Sequence, residues 1–231
     1  MSITNTLTAS IVSSFFEIVI THPLDLYKTN KQINNNFKFK NFINLKFKDV
    51  YSGFKPRILG SITTRSTFLF SQEYLESKLI AYNTYEKYLG VIIGGSLAQT
   101  IFDTPIENLK INSMLNKKLS YNITNFYCGF IPHFIRNSIF FANVYIAKSY
   151  GKTNYEKALY GGFGGFIGCY LSHPFDTIKT LRQSKKNIKL SHYNLNDKIK
   201  MLWKGANIRA LMGLINISIS LFIFENLITK N

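Results

Sequence analysis

Three copies of one short segment limit what this chain can become. Pro23-Leu24-Asp25-Leu26-Tyr27-Lys28 returns as Pro105-Ile106-Glu107-Asn108-Leu109-Lys110 and as Pro174-Phe175-Asp176-Thr177-Ile178-Lys179, each with proline first, an acid third and lysine sixth. A second element trails each copy, because Tyr51-Ser52-Gly53, Tyr127-Cys128-Gly129 and Trp203-Lys204-Gly205 all set an aromatic residue two places before glycine. Proline-to-glycine distances are 30, 24 and 31 residues, and both glycine-to-glycine distances are 76. Self-similarity at a fixed period marks a chain built from repeated supersecondary units. The units run over residues 1–80, 81–152 and 153–231 and form one structural domain.

Charge placement then decides the environment. The formal net charge is +16, and 20 of the 28 Lys and Arg fall in three segments, Lys28 to Arg57, Lys110 to Lys118 and Lys179 to Arg209, against only Asp49 and Asp197. The intervening connections, near Ala81 to Glu86 and Tyr150 to Glu156, are short and nearly neutral. Long basic loops alternating with short neutral ones read as a positive-inside pattern. A nucleic-acid polymer is not implied, since a binder of that kind gathers its basic residues on one face or in one tail. Mean hydropathy is only +0.01. A bundle around a water-filled cavity gives such a mean, because polar inner faces dilute apolar outer ones.

Six stretches have the length of membrane helices: about Leu7 to Tyr27, Pro56 to Leu79, Lys87 to Leu109, Pro132 to Tyr150, Lys157 to Ile178 and Ile208 to Ile228. Each is near the ~20 residues that a bilayer core requires. Glu17, Arg65, Asp103, Arg136 and Glu225 interrupt them, and ionisable groups at such depth face protein or water rather than lipid. The fold class expected is an all-α membrane protein, with six transmembrane helices in three pseudosymmetric two-helix repeats around a central cavity. Ala9 and Ser13, Gly90, Gly94 and Ala98, Gly161 and Gly165, and Gly164 and Gly168 give the odd helices small residues at intervals of four, which lets helix backbones approach closely. The glycines from Gly161 to Gly165 lack phosphate-loop spacing and follow no strand. Leu195, Ile199, Leu202 and Trp203 have the spacing of a short amphipathic surface helix, and Phe37, Phe39, Phe42, Ile43 and Phe47 offer a rougher version of one in the first repeat.

The proline motif has its own physics. Proline inside a helix removes a hydrogen bond and bends the rod, so three rods bent at one level converge just past the bend. The acid and the lysine stand i, i+3 apart on one side of the helix. An acid of one repeat then meets the lysine of the next, and the expected ring pairs Asp25 with Lys110, Glu107 with Lys179, and Asp176 with Lys28. Gln32 and Gln183, nine places past their prolines, are expected to brace the ring; Met114 holds the third such place. Modest ion pairs suit a gate, since each contributes only about 0–1 kcal/mol when exposed. No metal or cofactor is called for. His22, His133, His173 and His192 have no ligand spacing, Cys128 and Cys169 form no framework, and no nucleophile constellation is present, so the chain is not read as an enzyme. Met1 to Thr8 carries neither a transit peptide nor a secretory signal, which leaves targeting to internal segments.

This triplicate, with six spans and the aromatic-x-glycine elements, resembles the mitochondrial carrier family over almost the whole chain. The repeats are compact for that family, and the abundance of Asn, Lys and Ile suggests an AT-rich genome such as that of a giant virus. The resemblance implies a monomeric multi-pass transporter of the mitochondrial inner membrane, with both termini on the cytosolic side and a central site reached from either side in turn. It implies a matrix gate made by Asp25, Lys28, Glu107, Lys110, Asp176 and Lys179, kinked at Pro23, Pro105 and Pro174. It also implies lipid binding, cardiolipin above all, at Gly53, Gly129 and Gly205, where backbone amides can hold phosphate.

Alignment of the even helices by their glycines gives Gly60, Arg136 and Met212 seven places on, the family's substrate contact points, then Ser61, Asn137 and Gly213, with Thr64, Phe140 and Asn216 at eleven. Arg136 is the expected anion anchor because its fork binds carboxylate or phosphate bidentately, with Asn137 beside it and Arg65 about one turn farther along its own helix. Met212 departs from the basic residue many carriers have there. The outer network is eroded as well: Glu73, Ser149 and Glu225, with Glu76, Lys152 and Ile228 three places on, keep one basic residue. The small anionic solute is either a nucleotide, suited by the basic inner face, the aromatics and Arg65, or a keto acid, suited by Arg136 followed by Asn137. A membrane adaptor or leak protein of the same fold is the alternative to transport.

Overall fold

A computed structural model describes residues 3–33, 39–79, 83–115, 123–184 and 194–229. Every element among them is helical: α1 (Ile3–Ile33), α2 (Phe39–Ile43), α3 (Phe47–Val50), α4 (Phe54–Lys78), α5 (Thr84–Met114), α6 (Ile123–Phe126), α7 (Phe130–Ser149), α8 (Asn154–Leu171), α9 (His173–Gln183), α10 (Leu195–Leu202) and α11 (Ala206–Thr229). Helix α1 packs on α4, α4 on α5, α5 on α7, α7 on α8, α8 on α11, and α11 back on α1. Six rods, with α8 and α9 as one, therefore close a circle.

Burial is inverted relative to a water-soluble bundle. Helix α1 exposes Phe15, Phe16 and Ile20 while burying Ser14, Thr21 and Asp25, and α5 exposes Leu89, Ile93 and Phe102 while burying Gln99, Thr100 and Asp103. Buried polar groups are tolerable only when they find partners, so the circle's interior must be a network. By length and composition alone, two described segments are apolar enough to cross a membrane, Tyr85–Met114 and Leu195–Ile223. Of the other expected stretches, those starting at Leu7, Pro56 and Pro132 lie on α1, α4 and α7, whereas Lys157 to Ile178 is divided between α8 and α9.

The three prolines do not act alike. Pro23 and Pro105 lie inside continuous helices, whereas Pro174 starts a new one, α9, after Ser172. The expectation of three bent but unbroken rods is thus corrected at the third. Proline cannot donate to the carbonyl four residues back. In the first repeat that carbonyl belongs to Val19, and it accepts the Tyr51 hydroxyl at 3.5 Å. The aromatic two places before the glycine therefore sits at the bend. In the third repeat Trp203 packs at a tilt against Tyr170, the residue whose carbonyl Pro174 cannot reach, with centroids 4.8 Å apart.

Close approach explains the glycines of α8. A Cβ at Gly165 would sit 2.8 Å from the Gly213 carbonyl of α11, and one at Gly164 would sit 2.5 Å from the Asn143 carbonyl of α7. Two glycine faces let one helix touch both neighbours backbone to backbone. The expected surface helix of the third repeat is α10, with Leu195 and Ile199 exposed. The rougher aromatic run of the first repeat divides into α2 and α3, with Phe39 and Phe42 packed on Tyr27; Phe37 lies outside the described residues.

Candidate functional site

The lower end of the circle holds the acids and lysines of all three motifs, buried except for the partly exposed Glu107. Lys110 Nζ is 3.1 Å from Asp25 Oδ2, Lys179 Nζ is 2.6 Å from Glu107 Oε2, and Lys28 Nζ is 2.6 Å from Asp176 Oδ2. All three cross-repeat pairs expected from spacing are brought together. Contacts within each helix are present too: Lys110 also bonds Glu107, while Lys28–Asp25 and Lys179–Asp176 are wider at 3.9 Å. Cross-repeat and local pairing are thus combined in one closed cycle, since the i, i+3 spacing sets each lysine between its own acid and its neighbour's.

The glycines fix this cycle. Gly53, Gly129 and Gly205 all take left-handed backbone, with φ of 79°, 83° and 89°, a region that costs other residues about 1–2 kcal/mol. Each abuts the lysine of the next repeat: a Cβ on Gly53 would lie 3.0 Å from the Lys110 carbonyl, one on Gly129 would lie 3.3 Å from the Lys179 carbonyl, and one on Gly205 would meet the Lys28 side chain at 3.6 Å. Histidines tie the bends to the same turns. His22 Nε2 is 3.0 Å from the Ser52 carbonyl and His173 Nε2 is 3.0 Å from the Lys204 carbonyl, so each joins the residue before its proline to the residue before its glycine.

Sequence reasoning missed the arginines. Arg57 bonds Asp25, and Arg209 Nη1 lies 3.0 Å from Asp176 Oδ1. Both stand four places past their glycines, so the alignment that found the residues at seven and eight contained them. Arg136, the expected anion anchor, is held by its neighbour and by the ring. Its Nε and Nη2 donate to Asn137 Oδ1 at 2.9 and 2.6 Å, and its Nη1 reaches Asp176 Oδ1 at 3.4 Å. Asn137 Nδ2 in turn donates to Thr100 Oγ1 at 2.9 Å. Asp176, with no exposed side-chain surface, consequently faces Lys28, Arg209, Arg136 and Lys179.

The braces differ from expectation. Gln32 Nε2 donates to Asp176 Oδ2 and Thr177 Oγ1, both at 3.1 Å, and so supports the ring directly. Gln183 Nε2 instead reaches the Thr104 backbone carbonyl at 3.4 Å. Asp176 Oδ2 thus accepts from Gln32 as well as Lys28, whereas the Glu107 oxygens accept from Lys110 and Lys179. Met114 is buried at the third place.

Above the ring lies a cavity of about 540 Å³. Its floor includes Asp25, Lys28, Glu107 and Lys110, and its walls include Gly60, Ser61, Thr64, Arg136, Asn137, Phe140, Met212, Gly213 and Asn216. The residues aligned from the three glycines thus share one chamber. Lys148, Ser149, Gly151 and Lys157 line its far end. The side chains of Arg65, Glu73, Glu76, Glu225 and Ile228 lie outside the described residues; Lys152 is exposed. Lining charge is positive in excess: Lys28, Arg57, Lys110, Arg136, Lys148, Lys157 and Arg209 stand against Glu17, Asp25, Asp103 and Glu107. No group of three or more metal-ligating side chains occurs among the described residues.

Comparison with known proteins agrees with this arrangement. A family model described as mitochondrial carrier protein matches residues 150–230, the third repeat. A mitochondrial carrier-like protein of Acanthamoeba polyphaga mimivirus is 28% identical over 193 residues, covering 77% of this chain and 77% of that one. Together with the triplicated motif, these matches make the chain similar to mitochondrial carrier proteins, most directly over its third repeat.

Proposed function

We infer that this carrier passes a small anionic metabolite, with a nucleotide as the leading candidate, through its central cavity by alternating access. The observation that supports it most is the chamber itself, a basic cavity floored by a closed ring of cross-repeat ion pairs. Its volume, about 540 Å³, lies within the ~300–1,000 Å³ usual for small-molecule sites. The excess of lining cations favours an anion, and Arg136 can release Asp176 to take it because a guanidinium binds phosphate or carboxylate equally well. In this reading the ring is the matrix gate, Gly60, Arg136, Asn137, Met212 and Arg65 form the substrate level, and the termini lie on the cytosolic side of the mitochondrial inner membrane. Six spans and three pseudosymmetric repeats belong to this reading, and the inverted burial and the circular packing support them. Cardiolipin phosphate at the amides after Gly53, Gly129 and Gly205 belongs to the same reading, as does a monomeric state.

A carboxylate substrate is the second reading, favoured by the Arg136–Asn137 contact, which presents an amide beside a guanidinium. Purified protein in liposomes loaded with unlabelled nucleotide is expected to exchange it for labelled nucleotide outside, and Arg136→Ala is expected to abolish exchange. Unchanged exchange in that variant removes Arg136 from the site. Exchange of 2-oxoglutarate without nucleotide exchange establishes the carboxylate reading, and conductance without saturable exchange of either establishes a leak protein.

A further inference from the structure

Four places past the repeat glycines stand Arg57, His133 and Arg209. Two are permanent cations on ring acids. The third is a histidine, whose ordinary charge change falls between about pH 5 and 8, and its Nε2 lies 3.2 Å from Asp103 Oδ2. Asp103 stands two places before its repeat proline, where the other repeats have Thr21 and Ser172. The middle repeat has therefore exchanged a fixed ion pair for a titratable one, and the ring makes no use of it.

The hydrogen bonds around this pair specify where its protons are. The Thr104 hydroxyl donates to the Thr100 carbonyl at 2.6 Å, which spends its single proton. Thr104 Oγ1 must then accept at its other contact, 3.0 Å from His133 Nδ1, so Nδ1 carries a proton. Nε2 is left facing Asp103. With that nitrogen bare, its lone pair would oppose an ionised carboxylate in a buried site. A proton between Nε2 and Oδ2 turns the contact attractive. His133 is fully buried, but Asp103 borders the cavity and gives the pair access to water. The charges bearing on the pair are Arg136 from α7, Lys179 from α9 and Glu107 from α5. Gly60 of α4, where an added Cβ would lie 4.0 Å from Asp103 Oδ1, adds none.

The geometry points to Asp103 and His133 as a proton-binding site that couples the anion's passage to a proton. This rests on the carrier reading above. Loaded, the pair is neutral overall; stripped of its proton it is a net negative charge in the wall of an anion's chamber. Anion and proton therefore bind with positive cooperativity, and each raises the affinity for the other by the same factor.

Two measurements decide it. Labelled-ADP exchange in liposomes, at equal pH on both sides, is expected to fall about tenfold per unit as pH rises past the point at which the pair gives up its proton. Asp103→Asn, which mimics the loaded carboxyl, is expected to flatten that dependence, and His133→Gln, which keeps the charged acid without its proton carrier, to exchange poorly at every pH. A wild-type profile that Asp103→Asn leaves unchanged overturns the coupling and spares the carrier reading. If ADP and 2-oxoglutarate both fail to exchange, the carrier reading fails, and the proton site is judged by infrared titration of the purified protein. A carboxyl or imidazole band that titrates and is lost from both variants supports it; its absence from the wild type overturns it. Thermal unfolding of each variant separates misfolding from loss of the proton, and Asp103→Glu, keeping an ionisable acid, is expected to restore the pH dependence.

Discussion

Removing one negative charge from the ring has a calculable cost, and Asp176 is where it should be greatest. Asp176→Asn keeps the side chain's shape. It leaves Lys28, Arg209 and Arg136, at 2.6, 3.0 and 3.4 Å, without the carboxylate that they share, in a place with no exposed side-chain surface. Loss of one partner from a buried pair costs about 3–5 kcal/mol, because an uncompensated charge remains. For a chain of this size each kcal/mol moves the unfolding midpoint by roughly 2–4 °C, so the expected fall is about 6–20 °C. Glu107→Gln is the internal control. That carboxylate is 17% exposed and holds two lysines but no arginine, so water offsets part of its loss and the fall should be smaller. Unfolding of the purified protein in detergent can be followed with a thiol dye, since Cys169 is buried and reacts only on opening. An Asp176→Asn midpoint within about 2 °C of wild type, or a larger fall for Glu107→Gln, refutes the assignment of Asp176 as the ring's most heavily loaded acid.

Three further outcomes follow from the same geometry. Gln32→Ala should cost about 1.5–3 kcal/mol, as a bond to a charged group does, and Gln183→Ala only about 0.5–1.5 kcal/mol, both by the thermal assay. Gly53→Ala should be harsher than Gly205→Ala: both bear the left-handed cost of about 1–2 kcal/mol, but only at Gly53 does the new methyl meet a backbone carbonyl at 3.0 Å. Gly164→Val should lower the midpoint through overpacking of about 1–3 kcal/mol or more, since even a Cβ there would be 2.5 Å from the Asn143 carbonyl.

Spacing made the ring legible because an i, i+3 pair after each proline has few other places to go once three copies exist. The same alignment held Arg57 and Arg209, but an arginine near a basic loop gives no sign of which acid it will reach. The break at Ser172 was hidden for a comparable reason. Proline permits both a bend and a fresh helix start, and only packing chooses between them. His22 and His173 are legible as neighbours of a proline and nothing more, since the carbonyls they bond lie 30 and 31 residues away. The inverted burial was implicit in the hydropathy, whose near-zero mean conceals apolar outer and polar inner faces. Arg136 shows the limit of reasoning from depth: a charge in mid-helix announced a partner without saying which, and it is held by Asn137 and Asp176.

The central claim is that cross-repeat ion pairs close one end of the cavity and open to let an anion through. Labelled-ADP exchange in liposomes, compared with membrane conductance in the same vesicles, tests it when Lys28, Lys110 and Lys179 are all replaced by alanine. Saturable exchange should give way to an unsaturable leak, because nothing then holds the floor shut. Saturable exchange at the wild-type rate, with no leak, would contradict the account.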